Sequence, residues 1–416
     1  MKRIYLDYAS LTPIDSRVIR EVKKYSSAKY ANPSSLYKEG VAAKKALEEG
    51  RKKVADFIHA HSDEIILTAG GTEANGLALE GALKAFIRGK ISGTTERPHL
   101  IISAIEHSSV LETADMLEKY GFEVTRLAVN PVGIISLDEL KKAIKPNTVL
   151  VSIMMVNNEV GTIQPIREIV KIIRHARKTL HPAPYTLYPL FHTDATQALY
   201  EDINMESLGV DLLTLDGSKV YGPRGIGCLF IRRGTPIEPI IYGGGQEKGM
   251  RSGTENVPAI MGFAKALEIA GQEREREAVR LRGLKRLFCE GLKRIGAKIN
   301  GGEDTYFAHT DKSVKKVDTL TDIDNNRAAK STKTSPHILN VSIPSIDNEF
   351  FVLQLDAAGV ACSTKSSCLR DEDESYVLKA MGANSKTSIR FSFGRYTKKS
   401  DIIKAAKIIA GILHRH

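Results

Sequence analysis

The sequence predicts an α/β fold, in which a large domain with a mainly parallel sheet wrapped by helices is joined to a smaller α+β C-terminal domain. Three observations carry that expectation. From about residue 60, short apolar runs alternate with longer amphipathic ones, the order that builds parallel strands connected by helices. One run, Thr148-Val-Leu-Val-Ser-Ile-Met-Met155, is apolar almost throughout, as a strand covered on both faces must be. The chain has 416 residues and is 42% hydrophobic, enough for two or more domains with full cores.

Taken in order, Glu64-Ile-Ile-Leu-Thr68 predicts the first strand of this series, and the amphipathic stretch 73–86 a helix. His99-Leu-Ile-Ile-Ser103 predicts a strand and 108–120 a helix. The strand at 148–155 is followed by a helix over 165–180, with Pro165 in its first turn, where proline loses no hydrogen bond. Two more strands are predicted at 211–214 and 227–231. The segment 264–296 contains Glu273-Arg-Glu-Arg-Glu277 and predicts a long exposed helix leading into the next domain. Beyond it, a strand at 338–342 and a helix at 348–358 predict the smaller α+β unit. The expected division is a large domain over 16–270, with 1–15 and 271–416 forming the small domain. The polar stretch 302–335, poor in large apolar residues, predicts a mobile surface insertion. No internal repeat is visible.

Composition excludes several classes. Four cysteines in so long a chain do not make a disulfide scaffold, and Cys228, Cys289, Cys362 and Cys368 form no CxxC pair, so no zinc ribbon or other metal site is expected. A reducing, cytoplasmic setting is predicted. The basic N-terminus lacks the apolar stretch of a secretory signal, and no window approaches the ~18 apolar residues of a membrane span. Lys plus Arg exceed Asp plus Glu by 11. That excess is spread along the chain without a compact block, which predicts a solvated surface and no direct nucleic-acid binding.

Three segments carry chemistry. Thr68-Ala-Gly-Gly-Thr-Glu-Ala-Asn75 is a Gly-rich strand-to-helix turn. Gly71 would let an anion approach the N–H groups of the helix start, and Thr72 would add a hydroxyl. Read alone, it serves equally as a tight turn without ligand. Lys219 follows an apolar strand and precedes a Gly/Pro loop. A lysine held there can form a Schiff base with a carbonyl cofactor, although a surface lysine is the plainer reading of one lysine by itself. Asp194, in Phe191-His-Thr-Asp-Ala-Thr-Gln197, ends an apolar strand, where a carboxylate is costly unless paired. A pyridinium N–H would pair it; an N-cap of the following segment explains it equally well.

Together and in this order, the three match the needs of pyridoxal 5'-phosphate. The chain resembles a group I cysteine desulfurase, of the class V branch of fold-type I pyridoxal phosphate enzymes. The resemblance runs almost end to end through Tyr5-Leu-Asp-Tyr-Ala9, Asn32-Pro-Ser-Ser35, Glu106-His107, Val156-Asn-Asn-Glu159, Asp194-Ala-Thr-Gln197, Lys219-Val-Tyr-Gly-Pro223, Gly243-Gly-Gly-Gln-Glu247, Arg251-Ser-Gly-Thr254 and Ser388-Ile-Arg-Phe-Ser392. Only 302–335 and short stretches near 88–97 and 181–190 look additional.

The resemblance implies roles. His107 stacks on the cofactor ring and handles protons, Asp194 pairs the ring nitrogen, and Gln197 pairs the ring hydroxyl oxygen. Lys219 carries the cofactor and then moves protons. Gly71 and Thr72 belong to the phosphate end, where Ser218, itself a departure from the family pattern, could replace one hydrogen bond; Asn158 belongs to cofactor and substrate, and Arg390 to the substrate carboxylate. A structural ion pair is the plainer reading of Arg390. Thr254 reaches the phosphate of a neighbouring subunit, which implies a homodimer with shared sites. Cys368, in a small, polar stretch, attacks the sulfur of L-cysteine, leaving L-alanine and an enzyme persulfide. The sulfur then passes to an acceptor protein, such as an iron–sulfur scaffold or a tRNA thiolation enzyme. A selenocysteine lyase, a class V aminotransferase and a non-catalytic sulfur-transfer scaffold are the competing readings; an aminotransferase has no need of Cys368.

The chain departs from the family pattern in three places. Asp216-Gly-Ser218 stands before the lysine where Ser-Gly-His is usual, Lys365-Ser-Ser-Cys368 replaces Gly-Ser-Ala-Cys, and Tyr37 stands where histidine is common. Asp216 would repel a phosphate if it faced one.

Overall fold

The computed structural model describes residues 3–89, 97–180, 187–302, 333–366 and 374–414. Strand β1 (Ile4–Tyr5) pairs in parallel with Val360–Ala361 near the far end of the chain. The central sheet is built from β2 (Ile65–Thr68), β3 (His99–Ser103), β4 (Glu123–Leu127), β5 (Thr148–Ser152), β6 (Leu190–Asp194), β7 (Leu212–Asp216) and β8 (Gly227–Ile231). Its seven strands run in the order β2-β8-β7-β6-β5-β3-β4. All neighbours are parallel except β8, which is antiparallel to β2 and β7. The expected mainly parallel α/β sheet is therefore present.

The residues of this sheet are apolar in both phases of the alternation, because both faces are covered. Leu100, Ile102, Val149 and Leu150 pack in one cluster with Leu77, Leu79 and Leu83 of α3 (Gly71–Gly89) and with Val110 and Ala114 of α4 (Ser108–Lys119). Ile101, Val151, Phe191 and Leu213 point the other way into the larger core, which includes Ile169 and Ile173 of α6 (Ile166–Leu180). Helices α1 (Ser16–Lys23), α2 (Lys38–Phe57), α5 (Leu137–Ala143) and α7 (Met205–Leu208) complete this part of the chain.

Helix α8 (Val257–Lys293) is one helix of 37 residues and begins seven residues before the expected start. Its true start is set by Asn256, whose side chain accepts from the Ala259 N–H at 3.2 Å, and by Pro258 in the first turn. Its early residues are mostly buried; in the Glu/Arg-rich middle, expected to be exposed, only Glu275 and Arg276 are, while Glu273 and Arg274 are half-buried and Glu277 is buried. Beyond it, β9 (Lys298–Asn300), β10 (Ile338–Ser342) and β12 (Ser388–Ser392) form an antiparallel sheet in the order β12-β10-β9, and Val360–Ala361 is β11. Helices α9 (Asn348–Ala357), α10 (Tyr376–Ala380) and α11 (Lys399–Leu413) accompany it.

Two local outcomes refine the reading of the sequence. The apolar run expected as a strand over 148–155 is laddered only to Ser152; farther along, the Met154 N–H donates to the Glu106 carboxyl at 3.0 Å. Most of the polar stretch 302–335 lies outside the described residues, but its last two members, Thr334 and Ser335, are buried. There the Lys285 ammonium donates to the Thr334 hydroxyl at 3.0 Å and to the Ser335 carbonyl at 2.9 Å. Among the described residues no helix is long and apolar enough to cross a membrane.

Candidate active site

The carboxyl ends of parallel strands are where open α/β sheets bind ligands, and here two strands end on an acid. Asp194 is the last residue of β6 and Asp216 the last of β7, with Lys219 closing the short turn that follows β7. The N-terminus of α3 comes off β2 beside them. Between these parts lies a cavity of ≈ 180 Å³. Of the residues singled out in the sequence, Gly71, Thr72, His107, Asn158, Asp194, Gln197, Ser218, Lys219 and Arg390 all line it.

One wall is a continuous hydrogen-bond chain. Asp194 is 3% exposed; its carboxylate accepts from the Thr196 N–H at 2.9 Å and from the Asn75 amide at 2.8 Å. The same Asn75 amide donates to the Ser109 hydroxyl at 2.9 Å, which in turn bonds His107 Nδ1 at 2.9 Å. His107 caps α4, and its Nδ1 also accepts from the Ser109 N–H at 3.2 Å. A ring nitrogen that accepts from a backbone N–H carries no proton, so this pattern assigns the neutral ring's proton to Nε2. The turn after Asp194 is not a helix, so the carboxylate caps a turn rather than a helix start.

The opposite wall brings in the C-terminal sheet. Arg390, on β12, is 1% exposed; it donates to the Asn158 carbonyl at 3.0 Å, to Asp7 at 3.0 Å and to the Ser10 hydroxyl at 2.6 Å. The ion-pair reading of Arg390 therefore holds, and the same guanidinium lines the cavity. The buried atoms Arg390 Nε and Asn158 Oδ1 have no hydrogen-bond partner among the described residues. Such groups are expensive to leave unsatisfied, and here both belong to cavity-lining residues. The Lys219 ammonium donates to the Ser10 carbonyl. Gln197 spans two elements, its amide N–H donating to the Ala9 carbonyl at 2.9 Å and its oxygen meeting His337 Nε2 at 3.1 Å. Burial lowers the His337 pKa to about 3, so the ring is neutral and its Nε2–H is the donor.

The end at α3 is different. The Gly71 N–H donates to Asp216 Oδ2 at 2.8 Å. Asp216 Oδ1 accepts from the Ser218 N–H at 2.7 Å and from its hydroxyl at 2.5 Å. A carboxylate thus already sits where the positive end of a 19-residue helix would meet an anion.

Cys368 lies outside the described residues. Both sides of its segment are held by one buried acid: Glu159 accepts from the Ser366 N–H at 2.9 Å and from the Ser375 hydroxyl at 2.5 Å. Cys362 packs against the main core, and burial pushes its thiol well above the ordinary value. Burial does the same to Cys228, inside β8. Thr254 is exposed and does not line the cavity of its own chain. Its loop is tied down by Arg251, whose guanidinium grips the Glu73 carboxylate at 2.9 and 3.3 Å.

Asn75, Ser109, Ser10, Asp7 and His337 were not singled out from the sequence. Asn75 had a usable signal, since it lies one helical turn after Gly71 on the same strand–turn–helix unit. Ser109 lies two residues after His107 and bonds its ring; Ser10, Asp7 and His337 are joined to the site by contacts remote in sequence.

The class-V aminotransferase family model matches residues 4–296. The chain is 39% identical, over 100% of its length and 96% of the relative's, to "Cysteine desulfurase IscS" of Dictyoglomus turgidum. It is 36% identical to "Cysteine desulfurase IscS 1" of Archaeoglobus fulgidus over 99% of this chain and 97% of that one. A solved "NIFS-LIKE PROTEIN" superposes with a TM-score of 0.84 at 32% identity, covering 100% of both chains. By these matches and by a cavity at the carboxyl ends of the sheet, the chain belongs to the class-V aminotransferase family and, within it, to the cysteine desulfurases.

Proposed function

We propose that this chain converts L-cysteine to L-alanine with pyridoxal 5'-phosphate as cofactor and leaves the sulfur as a persulfide on Cys368. The observation that carries the reading is the convergence of Lys219, Asp194, His107, Asn158 and Arg390 on one cavity. The buried Asp194 carboxylate fits a pyridinium N–H, and the unpartnered Asn158 Oδ1 and Arg390 Nε fit a polar ligand in that cavity. When bound, the cofactor supplies an electron sink for the substrate's amine-bearing carbon.

The chain's own groups do the rest. Gly71, Thr72 and Ser218 would border the phosphate end, where Asp216 already accepts from the Gly71 N–H and from Ser218, while Asp194 would hold the ring nitrogen and Gln197 the ring oxygen. Lys219 Nζ would hold the cofactor and move a proton at the substrate α-carbon. His107 would face the ring and exchange protons through Nε2. Arg390 and Asn158 orient the substrate carboxylate. The Cys368 thiolate attacks the substrate sulfur; the carbon–sulfur bond breaks, its electron pair stays with carbon, and a proton completes alanine.

The proposal includes a homodimer in which Thr254 serves the partner's site, and an acceptor protein such as an iron–sulfur scaffold or a tRNA thiolation enzyme. It places the reaction in the cytoplasm, where a reducing environment keeps the thiols of the cycle available. It keeps the division into a domain over 16–270 and another over 1–15 with 271–416, supported by the separate central and C-terminal sheets. The test is to supply purified protein with cofactor and L-cysteine. The expected result is visible absorbance and alanine release, with the absorbance of lysine-attached cofactor lost in Lys219→Ala. A protein that takes up no cofactor and releases no alanine contradicts the reading.

A further inference from the structure

The cofactor cavity has a feature that its assigned chemistry does not explain. Gly71, which opens α3, already donates its N–H to Asp216 Oδ2 at 2.8 Å. The other carboxylate oxygen is held by the Ser218 N–H and hydroxyl. Backbone crowding reinforces the placement: a Cβ on Gly70 or Gly71 would come within 3.2 or 3.3 Å of Asp216 Oδ2. No cation pairs with Asp216 among the described residues, and the carboxylate lines the same cavity as Lys219 and Asp194. That this cavity receives a ligand is supported separately by Asn158 Oδ1 and Arg390 Nε, which are buried without a partner among the described residues.

We propose that Asp216 acts as an internal anion at the phosphate end of the cavity and sets cofactor selectivity, so that the protein favours pyridoxal phosphate over its dephosphorylated form, pyridoxal, only weakly. The inference rests on the cofactor reading above. The physical reason is competition. A helix N-terminus and a nearby hydroxyl normally reward a phosphate. Here the carboxylate takes the Gly71 N–H and the Ser218 hydroxyl, and it adds like-charge repulsion at short range. The ring and aldehyde contacts, which pyridoxal shares, are untouched.

The experiment titrates cofactor-free protein with pyridoxal phosphate and, separately, with pyridoxal, following the visible absorbance of the bound compound. Wild type, Asp216→Ser and Asp216→Asn are compared. The wild type is expected to bind the two compounds within tenfold of each other. Both substitutions are expected to tighten pyridoxal phosphate by tenfold or more while changing pyridoxal less than threefold. If Asp216→Ser does not fold, the near-isosteric Asp216→Asn decides alone. A wild type that prefers the phosphorylated compound by a hundredfold overturns the inference and leaves the cofactor reading standing. So does unchanged pyridoxal phosphate affinity in the variants, or an equal gain for both compounds. Failure of every protein to bind either compound overturns the cofactor reading, and this inference with it.

Discussion

Asp194 ends β6 almost fully buried, and its two oxygens are held by the Thr196 N–H and the Asn75 amide. Replacing it by alanine strands both donors, each at a cost of about 1–3 kcal/mol. Asp194→Ala is therefore expected to lower the thermal midpoint and to weaken cofactor uptake; an unchanged midpoint would show that neither donor depends on the carboxylate. Asp194 was legible in the sequence because a charge at the end of an apolar strand needs a partner. Lys219 was legible from its place between strand and Gly/Pro loop. Asp216 was legible only as a departure, since no local pattern says which way a strand-end carboxylate turns. Its bond to Gly71 joins residues 145 apart. The packing of Cys362 was legible from its neighbours, because the apolar run before it forms β11 and the thiol packs against the core; Cys368 lies outside the described residues.

At the scale of elements, α8 meets its neighbours through glycine. A Cβ on Gly262 would lie 2.5 Å from Val22 Cγ2 and 2.6 Å from Pro223 Cγ. Alanine is the better helix former by about 1 kcal/mol, but overpacking of this kind costs about 1–3 kcal/mol. Gly262→Ala is expected to destabilise the protein on balance, as denaturant unfolding would report; a gain in stability would mean that α1 yields freely. The second element-scale prediction concerns Glu159, which holds Ser366 and Ser375 on either side of the Cys368 segment. Glu159→Ala is expected to slow persulfide formation roughly tenfold, a loss of about 1.4 kcal/mol of transition-state stabilisation, while cofactor absorbance persists. Equal loss of both signals would indicate a general folding defect instead. Strands with continuous apolar runs and helices with clear amphipathic stretches were legible. β4 was not, because the adjacent polar pair Thr125-Arg126 breaks the alternation of Glu123-Val-Thr-Arg-Leu127 and the strand is only partly buried. The start of α8 was missed because its apolar first half hides its periodicity, leaving Asn256 and Pro258 as the only signals.

For the whole molecule, the buried titratable groups predict a pH profile of stability. Burial lowers His99 and His192 from 6.5 to about 4 and His337 to about 3. Between those values and 6.5 the unfolded chain binds more protons, so stability falls as pH drops through that window. Burial raises Glu106 from 4.5 to about 8. There the folded chain holds the extra proton, so stability falls as pH rises from 4.5 to 8. Three histidines outweigh one acid below 6.5, and Glu106 alone of these four acts above it. The thermal midpoint is thus expected to peak near pH 6.5, and Glu106→Gln to remove the decline of a few degrees toward pH 8; a decline that persists in Glu106→Gln assigns it to other groups. The account as a whole depends on where the sulfur goes. The most direct measurement is mass spectrometry of wild type, Cys368→Ser and Cys362→Ser after brief exposure to L-cysteine, with alanine measured alongside. The account predicts one added sulfur on Cys368 in wild type and in Cys362→Ser, with neither persulfide nor appreciable alanine in a Cys368→Ser protein that still binds cofactor. Sulfur on Cys362, together with normal alanine release by Cys368→Ser, would contradict it.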